Sequence, residues 1–145
     1  MHRWRLLALL LLAVPWQVHA QPSGQTSHIN ANVPEAATFT ELMIRDLLAY
    51  FKANGVPAAT GVQVRLLRDA PTQSGASYPK YYAWVQVVAG SSRLAEGAVR
   101  LAAIERTHFE VTDYVSKSRA KVNRELVESV FPRSLVPEIL RLAAE

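Results

Sequence analysis

Cysteine is absent from all 145 residues, which excludes a disulfide scaffold, a thiolate metal centre and a cysteine nucleophile. Glycine is sparse, six in all, and none sits in a phosphate-cradling loop or a G-x-S-x-G nucleophile turn. Histidine is scarcer still at four. Beyond residue 20 only His28 and His108 remain, and two isolated histidines do not make a ligand set, so no metal and no cofactor is expected. No apolar run approaches the roughly 20 residues that span a bilayer.

Charge of one sign is also in short supply. The whole chain carries a net +4, but Arg3 and Arg5 belong to a separate N-terminal segment. Of the 16 basic and 12 acidic side chains, 14 and 12 remain once residues 1 to 20 are set aside. A nucleic-acid partner needs a dense basic footprint to neutralise phosphates, and that balance does not provide one. Residues 1 to 20 themselves combine a basic start, an apolar run over 6 to 14, the break at Pro15 and the polar end Val18-His19-Ala20. This pattern predicts a secretory signal peptide cleaved before Gln21, hence a periplasmic or extracellular protein with no stable membrane anchor.

Residues 21 to 31 are mostly polar, with proline and glycine, and read as a flexible leader. Residues 32 to 145 read as a single α+β domain. Asn32 stands where a helix cap belongs, and Phe39, Leu42, Met43, Leu47, Tyr50 and Phe51 recur at helical spacing. The pattern predicts a helix over 33 to 54, closed by Gly55 and Pro57. Four antiparallel strands should follow, over residues 62 to 68, 80 to 89, 93 to 105 and 108 to 115, with two-residue turns at Gly90-Ser91 and Arg106-Thr107. Short helices built on Leu126, Val127, Val130, Phe131, Leu135, Val136, Ile139 and Leu140 should end the chain.

Those turns set a register, and a register sorts side chains by face. One face collects Tyr81, Ala83, Val85, Val87, Ala98, Ala102, Ile104, Phe109, Val111 and Val115, the expected core beneath the long helix. Arg100 falls there too, opposite Asp113. The other face receives Tyr82, Trp84, Gln86, Val99, Leu101, Glu110, Thr112 and Tyr114, with Gln63 and Arg65 from the first strand. Trp84 would lie over Gly97. Flat rings with polar neighbours suit recognition of a protein or small ligand, so Tyr82, Trp84, Gln86, Tyr114, Arg65 and Glu110 form the candidate binding site. The competing reading is that the C-terminal helices bury this face as a second core layer.

Catalysis has less to build on. His108, Asp113 and a tyrosine would serve as acid and base only inside a shared cavity, and His108 is placed at a hairpin end. Lys117, Arg119, Lys121 and Arg124 form a basic cluster that reads either as a solvated surface or as a contact for anionic lipid or peptidoglycan.

Gln86-Val87-Val88-Ala89-Gly90 resembles the Q-x-V-x-G hairpin of cystatins, inhibitors of papain-like proteases, and a helix followed by antiparallel sheet is similar to the cystatin-like and NTF2-like superfamily. The resemblance implies a wedge made by that hairpin, an N-terminal glycine segment, here Gly24, and a second hairpin bearing Pro-Trp. The only Pro-Trp is Pro15-Trp16, within the predicted signal, and an extra strand separates helix and hairpin. NTF2-like proteins range from binding modules to cavity enzymes, so the shape leaves binding domain, protease inhibitor and small cavity enzyme all open.

Overall fold

The computed structural model describes residues 28 to 145; the predicted signal, and the leader up to residue 27, lie outside them. The order is α1 (His28–Asn32), α2 (Ala36–Ala53), β1 (Gly61–Leu66), β2 (Lys80–Ala89), β3 (Ser92–Ile104), β4 (His108–Ser116), α3 (Lys117–Val122), α4 (Arg124–Val130) and α5 (Val136–Ala144). The strands form one antiparallel meander, β1-β2-β3-β4. This is an α+β arrangement with helices on both faces of the sheet.

Asn32 does not cap α2. That position belongs to Glu35, which makes no side-chain cap bond, while Asn32 ends α1 and is buried. Its side-chain oxygen accepts from the Glu105 amide at 3.1 Å, and its carbonyl accepts from the Arg106 amide at 2.8 Å. Both those residues have left-handed backbone, φ 48° and 63°, which costs non-glycine residues roughly 1–2 kcal/mol each. A short helical turn in the expected leader thus holds the β3–β4 turn, which centres on Glu105 and Arg106 and not on Arg106-Thr107.

Met43, Leu47 and Phe51 recur every four residues along α2 and are buried against the sheet, as a single apolar stripe at helical period must be. They meet Tyr81, Ala83, Val85 and Val87 of β2, as the alternation of that strand predicts. The other two strands depart from expectation. In β3, Val88 pairs with Arg93 but Val87 pairs with Ala95, so Leu94 is an extra, bulged residue. Every later side chain of β3 is thereby moved to the opposite face. Val99, Leu101 and Ala103 lie under α2, whereas Ala98 belongs to the other layer, and Arg100 and Ala102 follow its parity.

A second bulge restores the original pairing in β4. Leu101 pairs with Val111 but Arg100 with Asp113, leaving Thr112 extra. Phe109 and Val111 stay beneath α2, whereas Tyr114 joins them and Val115 leaves. Two turn positions alone cannot reveal a bulge inside a ladder, because the residue that slips is sterically unremarkable in the sequence.

The second face is covered. α3, α4 and α5 supply Ala120, Val127, Phe131, Leu135, Val136, Ile139, Leu142 and Ala143 to a layer with Tyr82, Trp84, Ala98 and Val115. Each short helix is started locally: Ser116 accepts from the Arg119 amide, Asn123 from the Leu126 amide, and proline stands in the first turn of α5. Arg100 joins cover to sheet, donating to Asp113 at 2.7 Å and to the Val130 carbonyl at 3.3 Å.

Candidate functional site

The six predicted site residues do not form one open surface. Tyr82 and Trp84 are only 5 % and 4 % exposed, beneath the C-terminal helices. Tyr82 meets Thr72 hydroxyl to hydroxyl at 2.5 Å and packs edge-on against Phe131. Tyr114 lies on the opposite face with its ring edge-on to Phe51. Its ring, not that of Trp84, covers Gly97: a Cβ on that glycine would stand 2.8 Å from Tyr114 Cε2 and 2.3 Å from the Val115 carbonyl oxygen. Trp84 is paired with Ala98. Glu110 is exposed on β4, apart from the rest.

Arg65, Trp84 and Gln86 do converge, around a residue that the uncorrected register hides. The Leu94 bulge pairs Glu96 with Gln86 and turns it toward Trp84. The Glu96 carboxylate, 11 % exposed, accepts from Trp84 Nε1 at 3.0 Å, Gln86 Nε2 at 3.2 Å, Arg93 Nη1 at 3.0 Å and Lys117 Nζ at 3.3 Å. Its carbonyl accepts from the Tyr114 hydroxyl at 3.0 Å. One acidic residue thus ties together three strands and the start of α3. The clue in the sequence is an acidic residue inside an otherwise small and apolar stretch, Ala95-Glu96-Gly97-Ala98-Val99.

Burial alone would raise the Glu96 pKa, but donors from Trp84, Gln86 and Lys117, together with the Lys117 charge, outweigh it and hold the carboxyl below its ordinary value. Such a group stays ionised and is a weak base. Tyr114 moves the other way. Desolvation, with Tyr50 and Glu96 adding to it, pushes its hydroxyl up to about 12.

Two clefts open on either side of Glu96. The larger, about 480 Å³, is lined by Leu94, Tyr114, Lys117, Ser118 and Lys121 among others. The smaller, about 320 Å³, is lined by Gln63, Arg65, Trp84, Gln86 and Leu142. Arg65 donates to Glu138 at 2.6 Å across its rim, and Arg141 with Arg65 holds the Glu138 carboxyl below its ordinary range. Gln86 donates its amide nitrogen to Glu96, while Gln63 makes no hydrogen bond from its side chain among the described residues.

His108 and Asp113 are not brought together. His108 Nδ1 meets the Thr107 hydroxyl at 2.9 Å, while Asp113 is taken by Arg100, about five residues and 17 Å along the strand. Ser118 and Lys121 stand at serine-x-x-lysine spacing, and both line the larger cleft. The Ser118 hydroxyl meets Ser116 Oγ at 3.2 Å, and among the described residues no hydrogen bond joins it to the Lys121 amine. Among the described residues no cluster of three potential metal ligands occurs, and no helix is long and apolar enough to cross a membrane. Of the basic cluster, Lys117 is paired with Glu96 and Arg124 with Glu128.

No protein-family model matches the chain, and no curated protein or solved structure is detectably similar to it.

Proposed function

We propose that this chain is an exported, non-catalytic binding domain whose ligand enters the 320 Å³ cleft beside Glu96. The observation that carries the reading is the convergence of Gln63, Arg65, Trp84 and Gln86 on one concavity whose acidic floor is already neutralised by hydrogen bonds and by Arg93 and Lys117. Two glutamine side chains offer donors and acceptors without net charge. They suit a neutral ligand rich in hydroxyl or amide groups, with the edge of the Trp84 ring as its apolar contact.

The shape, a helix over a four-stranded meander, supports a cystatin-like or NTF2-like superfamily assignment as a fold reading only. A protease-inhibiting wedge receives no support from the geometry. Gln86 and Val87 of the QVVAG stretch are ladder residues, Val87 fully buried and Gln86 engaged by Glu96, so only Ala89 and Gly90 reach the hairpin tip.

The test is a titration of the purified protein with disaccharides, polyols and N-acetylated dipeptide amides, read by the ¹H–¹⁵N resonance of the Trp84 indole. Binding by one of these classes, weakened about tenfold or more in Gln86→Ala by the loss of one to two hydrogen bonds, is the expected result. Ligands that bind without moving the Trp84 resonance, or equally well to Gln86→Ala, would overturn it.

A further inference from the structure

The two edge strands, β1 and β4, have no further strand beside them among the described residues, and the two edges are unlike: on β4 the outward Phe109 amide already donates to the Asp46 carboxylate at 2.7 Å. β4 is kinked by the Thr112 bulge and bears Glu110 and Asp113, features that discourage pairing with another chain. β1 has no bulge, and its one charged side chain, Arg65, is paired with Glu138. Its six residues pair with β2 in one unbroken register, without bulge or proline.

Which of its groups point outward follows from one bond. The Leu67 amide donates to the Tyr82 carbonyl at 2.9 Å, in line with the register that pairs Leu66 with Ala83. Hydrogen-bonded and non-bonded pairs alternate in an antiparallel ladder, so Arg65 and Gln63 bond inward to β2. Val62, Val64 and Leu66 therefore direct their N–H and C=O groups to the open edge.

From this we infer that β1 pairs with β1 of a second copy, antiparallel and two-fold symmetric about Val64. That register sets Val64 opposite its own copy and Val62 opposite Leu66, so all the outward-facing backbone groups meet one another. The side chains agree on both faces. On the α2 side, valine meets valine and Val62 meets Leu66. On the α5 side, Gln63 meets Arg65, an amide against a guanidinium, and no like charges stand opposite. Registers centred on Gln63 or Arg65 also pair outward groups but leave Leu66 or Val62, respectively, facing a residue beyond the end of β1, and the second also sets arginine against arginine. An isologous contact of this kind closes on itself, which ends the sheet at eight strands without leaving β1 open for further addition.

The pairing also bears on the cleft, because Gln63 and Arg65 form its outer wall. The clefts of two copies would adjoin across the axis and share those walls. This consequence rests on the ligand reading above; the pairing itself does not.

Sedimentation velocity of the purified protein without ligand, from micromolar to sub-millimolar concentration, tests it. A concentration-dependent dimer is expected. Val64→Pro deletes an N–H that has no partner among the described residues, at an edge position that tolerates proline, and should give a monomer with unchanged circular dichroism. Gln63→Arg should weaken the dimer about tenfold, since the like-charge opposition occurs twice by symmetry, and Gln63→Glu should tighten it. A monomer throughout the range overturns the inference, as does a dimer indifferent to the sign of charge at position 63. If Val64→Pro does not fold, the two position-63 variants decide. Because no ligand is present, a negative result here leaves the cleft standing, and Gln86→Ala, away from the edge, tests the cleft alone.

Discussion

The two faces of the sheet are closed by different means. Under α2 the seal is one 18-residue rod, with Phe39 edge-on to both Tyr81 and Phe109 at 4.9 and 5.1 Å. On the other side three short helices share the work, and the polar groups gather there: Arg100 with Asp113, and Glu96 with its four donors. A continuous apolar stripe excludes water along its whole length. A cover made of pieces leaves openings at its joints, and every polar group at such a joint must find partners or pay desolvation. The clefts beside Glu96 are openings of this kind.

Truncation on the two sides should break that comparison most visibly. Leu47→Ala, beneath the rod, is expected to cost about 4 kcal/mol, and Ile139→Ala, under the pieced cover, about 2–3 kcal/mol because short terminal helices can settle into the gap. Urea denaturation of both variants checks this; equal losses would mean that the covers are equivalent. Gly97→Ala should cost about 3 kcal/mol, because its Cβ would strike the Val115 carbonyl and the Tyr114 ring. Glu96→Gln removes the partner of Lys117 and should cost about 1–2 kcal/mol while leaving the α2 side intact, as amide exchange along β2 and α2 would show.

The smallest effect is a matter of pH. Tyr114 keeps its proton to about 12 in the folded chain against 10.0 for the free side chain. Its contribution is therefore complete below pH 10 and is lost as pH rises through 12. Thermal denaturation between those values should show falling stability, with a shallower slope in Tyr114→Phe. Tyr81, also raised by burial, should retain the remainder.

Much of this architecture was legible from spacing. The stripe Met43, Leu47 and Phe51, the four strands, the alternation of β2 and the cross-strand pair Arg100–Asp113 all follow from period and turn residues. The site was legible only in part. Arg65, Trp84 and Gln86 share a cleft because β1 and β2 have an unbroken register. Tyr114 was assigned to the wrong face because Thr112 is a bulge, and Glu96 was missed because Leu94 is one. A bulge shifts every following side chain by one position yet leaves composition and alternation unchanged, so only packing reveals it. Whether Tyr82 and Trp84 face solvent or the C-terminal helices was a choice between two burial patterns, settled by the apolar stripe of α5.

The most direct test of the account is the pH titration of the Trp84 indole N–H, followed by ¹H–¹⁵N correlation spectra from neutral pH into the acid range. Glu96 held ionised by its donors predicts an indole shift with a midpoint below the ordinary carboxyl value of 4.5, and loss of that shift in Glu96→Gln. An indole signal that does not respond to acid, or one that titrates at or above 4.5, would contradict the central claim that Glu96 organises the cleft.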